Sequence, residues 1–236
     1  MKKQRVRELN KQFEINGWNG LINVETRGFH KFKIKDWRFP IILSAPHAIN
    51  HVREGELLRA DILTWWLVLY LAEKFNLPCI YSTSYLVWDP NYDDFEDSEY
   101  KQTLAAYIQE HNIQFLIDFH WCWSERDFAI ELWTWWEGYP NLLWNKKILN
   151  LILSSLEESL HPYLQRRWKV LTVDTLFPAS HEGTVSRSIS KKLNIPCIQF
   201  EINGELRAIE EKYLENLLIA LENLVEVLGN ELIIWK

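Results

Sequence analysis

Cysteine is scarce and poorly spaced for structural chemistry. Only Cys79, Cys122 and Cys197 occur, an odd number with no C-x-x-C pair. Neither a disulfide framework nor a cysteine zinc cage is expected, and a reducing cytoplasmic setting is the natural one. No apolar run approaches the roughly 18 residues needed to span a bilayer. The longest in a helical segment, Trp65 to Ala72, is bracketed by Asp61 and by Glu73 and Lys74, and reads as a buried helix. The opening Met1-Lys2-Lys3-Gln4-Arg5 leads into no apolar core with a cleavage site, so no secretory signal is expected. Internal repeats, low-complexity stretches and Gly/Ser linkers are also missing, so the 236 residues are expected to form a single domain. There is no G-x-S-x-G elbow and no catalytic cysteine signature, which argues against a nucleophilic hydrolase.

Positive charge is sparse as well. The net charge is −6, although residues 1–11 carry Lys2, Lys3, Arg5, Arg7 and Lys11 against Glu8 alone. A short basic arm, read as a solvated and disordered terminus, on an acidic body is a poor electrostatic footprint for nucleic acid.

What the chain does have is an ordinary globular balance, 47% hydrophobic and 25% charged, with 13 tryptophans. Most of these must be core, given the surface each has to bury. Short β-rich runs alternate with longer helical ones. Strands are expected at Pro40 to Leu43, Cys79 to Ser82, Gln114 to Phe119, Phe128 to Thr134, Lys169 to Val173 and Cys197 to Ile202. Helices are expected at Glu56 to Phe75, Ser98 to Asn112, Asn141 to Leu160 (stopped by His161-Pro162), Ser186 to Leu193 and Leu206 to Leu228. The alternation predicts an α/β fold, a mostly parallel mixed sheet with helices on both faces. Ligands in such folds bind beyond the carboxyl ends of the strands.

Three strand ends there carry chemistry. Leu43-Ser44-Ala45-Pro46-His47 holds a histidine just past a buried strand and a turn-forming proline. In Leu116-Ile117-Asp118-Phe119-His120 an apolar strand delivers a second histidine, with Asp118 two residues earlier on the same face. Ile198-Gln199-Phe200-Glu201-Ile202-Asn203 places a glutamate inside a strongly apolar strand, which is expensive unless it is paired or ligating. Zinc hydrolysis needs a few nitrogen and oxygen ligands, an open position, and a carboxylate to take a proton from water. His47 and His120 supply two ligands, and Asp61 or Glu54 a third. His51, four residues after His47, lacks the glutamate of an H-E-x-x-H pair and reads as a loop residue. Cys122 would favour a structural site instead.

Ser44-Ala45-Pro46-His47, Asp118-Phe119-His120 and Phe200-Glu201-Ile202-Asn203 resemble the N-formylglutamate amidohydrolase-like family, over about Pro40 to Arg207. The resemblance implies a zinc-carboxypeptidase-like fold with one divalent metal ion, held by His47, Asp61 and His120. Asp61 is then favoured over Glu54, because the group has an acidic ligand at the head of the following helix. Glu201 would be general base toward water and then proton donor to the leaving nitrogen. Asn203 and Trp121, beside these motifs, join the substrate-binding candidates. The chain departs from the deformylases proper at Pro-His-Ala-Ile, where they show Pro-His-Ser-Gly. It departs again at Asp89-Pro90-Asn91-Tyr92, where they show Asp-x-Asn-Arg. With Tyr92 in place of that arginine, a substrate carboxylate is expected to meet Arg187, Arg53 or Arg126.

The leading expectation is zinc-dependent hydrolysis of an amide bond in a small N-acyl amino acid or peptide-like substrate, without a membrane or nucleic-acid partner. A metal-dependent carboxypeptidase acting on peptides or cell-wall stems, and a non-catalytic protein with a tryptophan platform around Trp121, Trp123, Trp133, Trp135 and Trp136, are the alternatives.

Overall fold

The computed structural model describes residues 27–30, 39–82, 88–135, 138–164, 169–176, 181–207 and 213–234. The basic arm and Trp136 lie outside them. Nine strands are described: β1 (Arg27–His30), β2 (Ile41–Ala45), β3 (His51–Arg53), β4 (Glu56–Leu58), β5 (Cys79–Ser82), β6 (Phe115–Cys122), β7 (Phe128–Trp133), β8 (Lys169–Val173) and β9 (Cys197–Asn203). The helices are α1 (Thr64–Phe75), α2 (Glu99–His111), α3 (Lys146–Leu164), α4 (Val185–Leu193) and α5 (Tyr213–Ile234).

Seven strands make one sheet in the order β1-β5-β2-β6-β9-β7-β8, while β3 and β4 pair as a separate hairpin. The pairs β2–β5, β2–β6, β6–β9 and β7–β8 are parallel, and β1–β5 and β7–β9 antiparallel. The sheet is thus mixed and mostly parallel, as expected. One face buries Ile41, Leu43, Ile117, Phe119, Ile198 and Phe200 against α1, α3 and α5. The other buries Ile42, Ile80, Leu116 and Cys197 against α2 and α4. Apolar residues on both faces explain why these strands read as continuous hydrophobic runs. Among the described residues, no helix is long and apolar enough to cross a membrane.

Several expected boundaries shift, each for a local reason. The helix expected from Glu56 begins only at Thr64. Glu54 and Gly55, with φ of 52° and 82°, form the tight turn of the β3–β4 hairpin, which consumes Glu56–Leu58. The helix expected from Asn141 starts at Lys146, where the Asn145 side chain accepts the N–H of Ile148 at 3.1 Å. It then runs through Pro162 to at least Leu164, past the expected stop at His161-Pro162. Leu206, the expected start of the last helix, falls in the 3₁₀ turn Gly204–Arg207, and the described helix covers Tyr213–Ile234. Strand β6 runs to Cys122, because its pairing with β9 continues to Cys122 opposite Asn203. His120 therefore sits inside a strand rather than at its tip.

Candidate metal centre

Three buried side chains meet where β2, β6 and the segment before α1 converge. His47 follows β2, His120 lies near the end of β6, and Asp61 precedes α1. The backbone fixes Asp61 from both sides. Its N–H donates to the His47 carbonyl at 2.7 Å, and its carbonyl accepts the Thr64 N–H and hydroxyl at 3.1 and 2.7 Å. Asp61 Oδ2 lies 3.5 Å from His47 Nδ1 and 3.1 Å from His120 Nδ1. Ligand atoms around a tetrahedral zinc at about 2.0–2.1 Å are about 3.3 Å apart. Both separations from Asp61 Oδ2 lie close to that value, and the ligand atoms of the three residues all fall within 4.8 Å of one another, a grouping that could hold a divalent ion.

The remote nitrogens support the same reading. His47 Nε2 is 2.7 Å from Asp89 Oδ1, and His120 Nε2 is 3.2 Å from Asp118 Oδ2, both carboxylates being fully buried. A proton on each Nε2, donated to its carboxylate, leaves each Nδ1 with a lone pair facing Asp61. This is the carboxylate–histidine arrangement that orients metal ligands and raises their basicity. In the metal-free protein, burial opposes protonation of His47, but hydrogen bonds to Asp61 and Asp89 outweigh it and raise its pKa. His120 is raised well above its ordinary value in the same way, with Asp118 as the main cause set against burial. Burial would lift Asp61, yet His120 and His47 hold it down at about 2.

A second group, His47, His51 and Asp89, also brings its ligand atoms within 4.8 Å of one another. It shares His47 with the first. Its carboxylate is already neutralised: Arg53 Nε donates to Asp89 Oδ2 at 2.6 Å, and the Asn91 N–H to Oδ1 at 2.8 Å. His51 stacks on His47 with ring centroids 3.9 Å apart. Burial, and then the neighbouring His47, push its pKa down to about 4. A neutral ring packed on His47 and a carboxylate held by arginine suit a support for the first group better than a second ion-binding group.

Glu201 lies level with His120 in the β6–β9 register and is 7% exposed. Its Oε1 accepts the Gln199 amide at 3.0 Å. Burial pushes its carboxyl up to about 7, against the attraction of His120. A raised folded pKa stabilises the neutral form, so this contribution is complete below the ordinary carboxyl value and vanishes as pH rises through about 7. Metal-free wild type should therefore lose melting temperature relative to Glu201→Gln between about pH 5 and about pH 8. Thermal melts in chelator test this, and parallel curves across that window would contradict it.

The other sequence candidates separate. Glu54 is exposed at the hairpin turn and accepts the Tyr92 hydroxyl at 2.7 Å, remote from the ligand group in its bonding. Asn203 is fully buried and donates its amide to the carbonyls of Arg126 and Phe128, while its Oδ1 accepts the Glu205 N–H. That makes it a strut of the β7–β9 edge, not an open ligand contact. Because β6 continues past His120, Trp121 points to the opposite face of the sheet and Cys122 to the same face. Trp121 therefore does not line the His120 side, contrary to expectation. Trp123 is exposed. Arg126 is half-buried in the turn between β6 and β7. Arg187, in the first turn of α4, lays its guanidinium on Trp135, 3.1 Å from the ring centre, with Glu182 at 3.7 Å.

Sequence reading missed the part played by Asp89. The segment Asp89–Tyr92 binds His47 and Arg53 through Asp89, and the first N–H of α4 through Asn91 Oδ1 at 2.8 Å. Gly183 permits this approach, since a Cβ there would stand 1.9 Å from the Tyr92 carbonyl oxygen. One short turn thus ties the ligand group to the helix that carries Arg187. The Asp-Pro-Asn turn chemistry was the available signal.

Neither a scan of family models nor a search of curated proteins finds a match. Solved structures are similar. N-formylglutamate amidohydrolase from Ralstonia eutropha aligns over 82% of this chain and 94% of its own, with 10% identity and a TM-score of 0.53. Gene product Atu2144 from Agrobacterium tumefaciens aligns over 89% and 96%, with 14% identity and a TM-score of 0.51. At such identities the likeness establishes the fold, which is the one the sequence motifs imply.

Proposed function

We propose that the chain is a zinc-dependent amidohydrolase that cleaves an amide bond of a small N-acyl amino acid or peptide-like substrate. The observation that carries this reading is the convergence of His47 Nδ1, Asp61 Oδ2 and His120 Nδ1, each imidazole backed by a buried carboxylate, beside a carboxyl whose pKa burial raises to about 7. A zinc ion bound there supplies Lewis acidity toward the amide carbonyl and toward water. Glu201 is the general base: with a pKa raised by burial to about 7, it accepts the proton of attacking water and hands it to the departing nitrogen. Asp89 and Asp118 hold the two imidazoles in the tautomer that ligates. The fold likeness to an amidohydrolase that acts on N-formylglutamate supports the reaction class.

Arg187 is the first choice to hold a substrate carboxylate, with Arg53 the second. Stacking on Trp135 fixes the plane of the Arg187 guanidinium, and Arg53 is already committed to Asp89. Arg187→Lys keeps the charge but loses the planar fork, so it should raise KM about 10- to 100-fold, the worth of a charged hydrogen bond. Zinc content and melting temperature should stay near wild type. Steady-state kinetics on an acylated amino acid and on its carboxamide analogue check this. If wild type handles both equally well, no carboxylate clamp exists.

A further inference from the structure

The row that begins at His120 continues across the sheet. His120 on β6 faces Glu201 on β9, Glu201 faces Glu131 on β7, and Glu131 faces Thr172 on β8. Residues paired in this way project from the same face. Glu131 is only 1% exposed, and among the described residues it has no cation partner. Its Oε1 accepts the Thr175 N–H at 2.7 Å, the Thr175 hydroxyl, and the Leu176 N–H at 2.9 Å. Among the described residues its Oε2 is buried without a hydrogen-bond partner.

Directly opposed side chains of an antiparallel pair have Cβ atoms about 4.5–5.5 Å apart, and like charges there destabilise the sheet. Two carboxyl groups meeting there in the interior each need a partner of their own. The two side chains diverge: Glu131 turns toward Thr175 and Leu176 beyond β8, and Glu201 toward Gln199. Glu131 cannot swing back easily, because a reciprocal clamp closes the same corner. Asp174 accepts the Thr134 N–H at 2.7 Å and the Thr134 hydroxyl at 2.6 Å.

We infer that Glu131 is a positioning residue: held by Thr175 and Leu176 and giving Glu201 no hydrogen bond on the β7 side, it leaves the Glu201 carboxyl turned toward the His47, Asp61 and His120 group. The inference rests on Glu201 being the general base. It assigns Glu131 no contact with substrate and no part in holding the metal.

The test combines crystal structures with a double-mutant cycle on the zinc-loaded full chain, using an N-acylated amino acid as the probe. In Glu131→Gln, which keeps the shape but adds an amide donor, the Glu201 carboxylate should leave the Gln199 amide and accept the introduced amide instead. Zinc content should be unchanged, KM should move less than about twofold, and kcat should fall about tenfold. In a Glu201→Gln background the same change should cost nothing further, because its effect runs through Glu201. A Glu131 that only braces the fold would lower both backgrounds alike and leave Glu201 in place; that result overturns the inference. Should Glu131→Gln fail to fold, Thr175→Val loosens the clamp, and a drop of about two- to threefold with the same non-additivity is expected. Equal loss in both backgrounds would again overturn it. Absence of turnover in wild type would sink the proposed function, while the orientation of Glu201 in the crystal would still decide this point.

Discussion

Glu201→Gln should keep the fold and a full complement of zinc while lowering turnover by about 10²–10⁴-fold, the usual worth of general-base assistance. The amide is isosteric with the carboxyl and can still meet Gln199, so packing at this 7% exposed position survives. What disappears is the capacity to accept a proton from water and return it to nitrogen. An arginine ion pair is the competing role for a buried glutamate. Arg187 is instead spread over Trp135 with Glu182 beside it, and the Arg207 side chain lies outside the described residues. Glu201 as an ion-pair strut would show a lowered melting temperature in the glutamine variant. Glu201 as base shows a loss in kcat with the melt retained or improved. A drop of less than about tenfold would remove Glu201 from the role.

The second large effect belongs to Asp61. Its Oδ2 is the atom that both imidazole Nδ1 atoms face. Asp61→Ala should therefore weaken zinc binding by more than the 10- to 100-fold typical of groups one step removed from a metal. Glu54→Ala should leave it unchanged, because Glu54 is bonded to Tyr92 at the hairpin turn. Competition against a fluorescent zinc chelator measures both. The opposite pattern, with zinc kept in Asp61→Ala and lost in Glu54→Ala, would reassign the third ligand.

Most of what positions these residues was legible in the sequence. Apolar runs marked β2, β5, β6 and β9 because both faces of the sheet are covered, and a parallel order put His47, His120 and Glu201 at one edge. The β3–β4 hairpin was not legible, since Leu57 and Leu58 continue the spacing of the helix that follows. Only Gly55 hinted at the turn. The reach of β6 beyond His120 was hidden too, because it depends on pairing with β9 some 80 residues later, and that pairing sends Trp121 to the opposite face. Glu131 carried the same signal as Glu201, a carboxylate within an apolar run, Phe128-Ala129-Ile130-Glu131-Leu132-Trp133. Its significance needed the antiparallel β7–β9 pairing, which nothing local in the sequence specifies.

The most direct measurement is anomalous diffraction at the zinc edge from crystals of the zinc-loaded protein. The account predicts one peak per chain, about 2.0–2.2 Å from His47 Nδ1, Asp61 Oδ2 and His120 Nδ1. A peak among His47, His51 and Asp89, or no peak near His120 at saturating zinc, would contradict it.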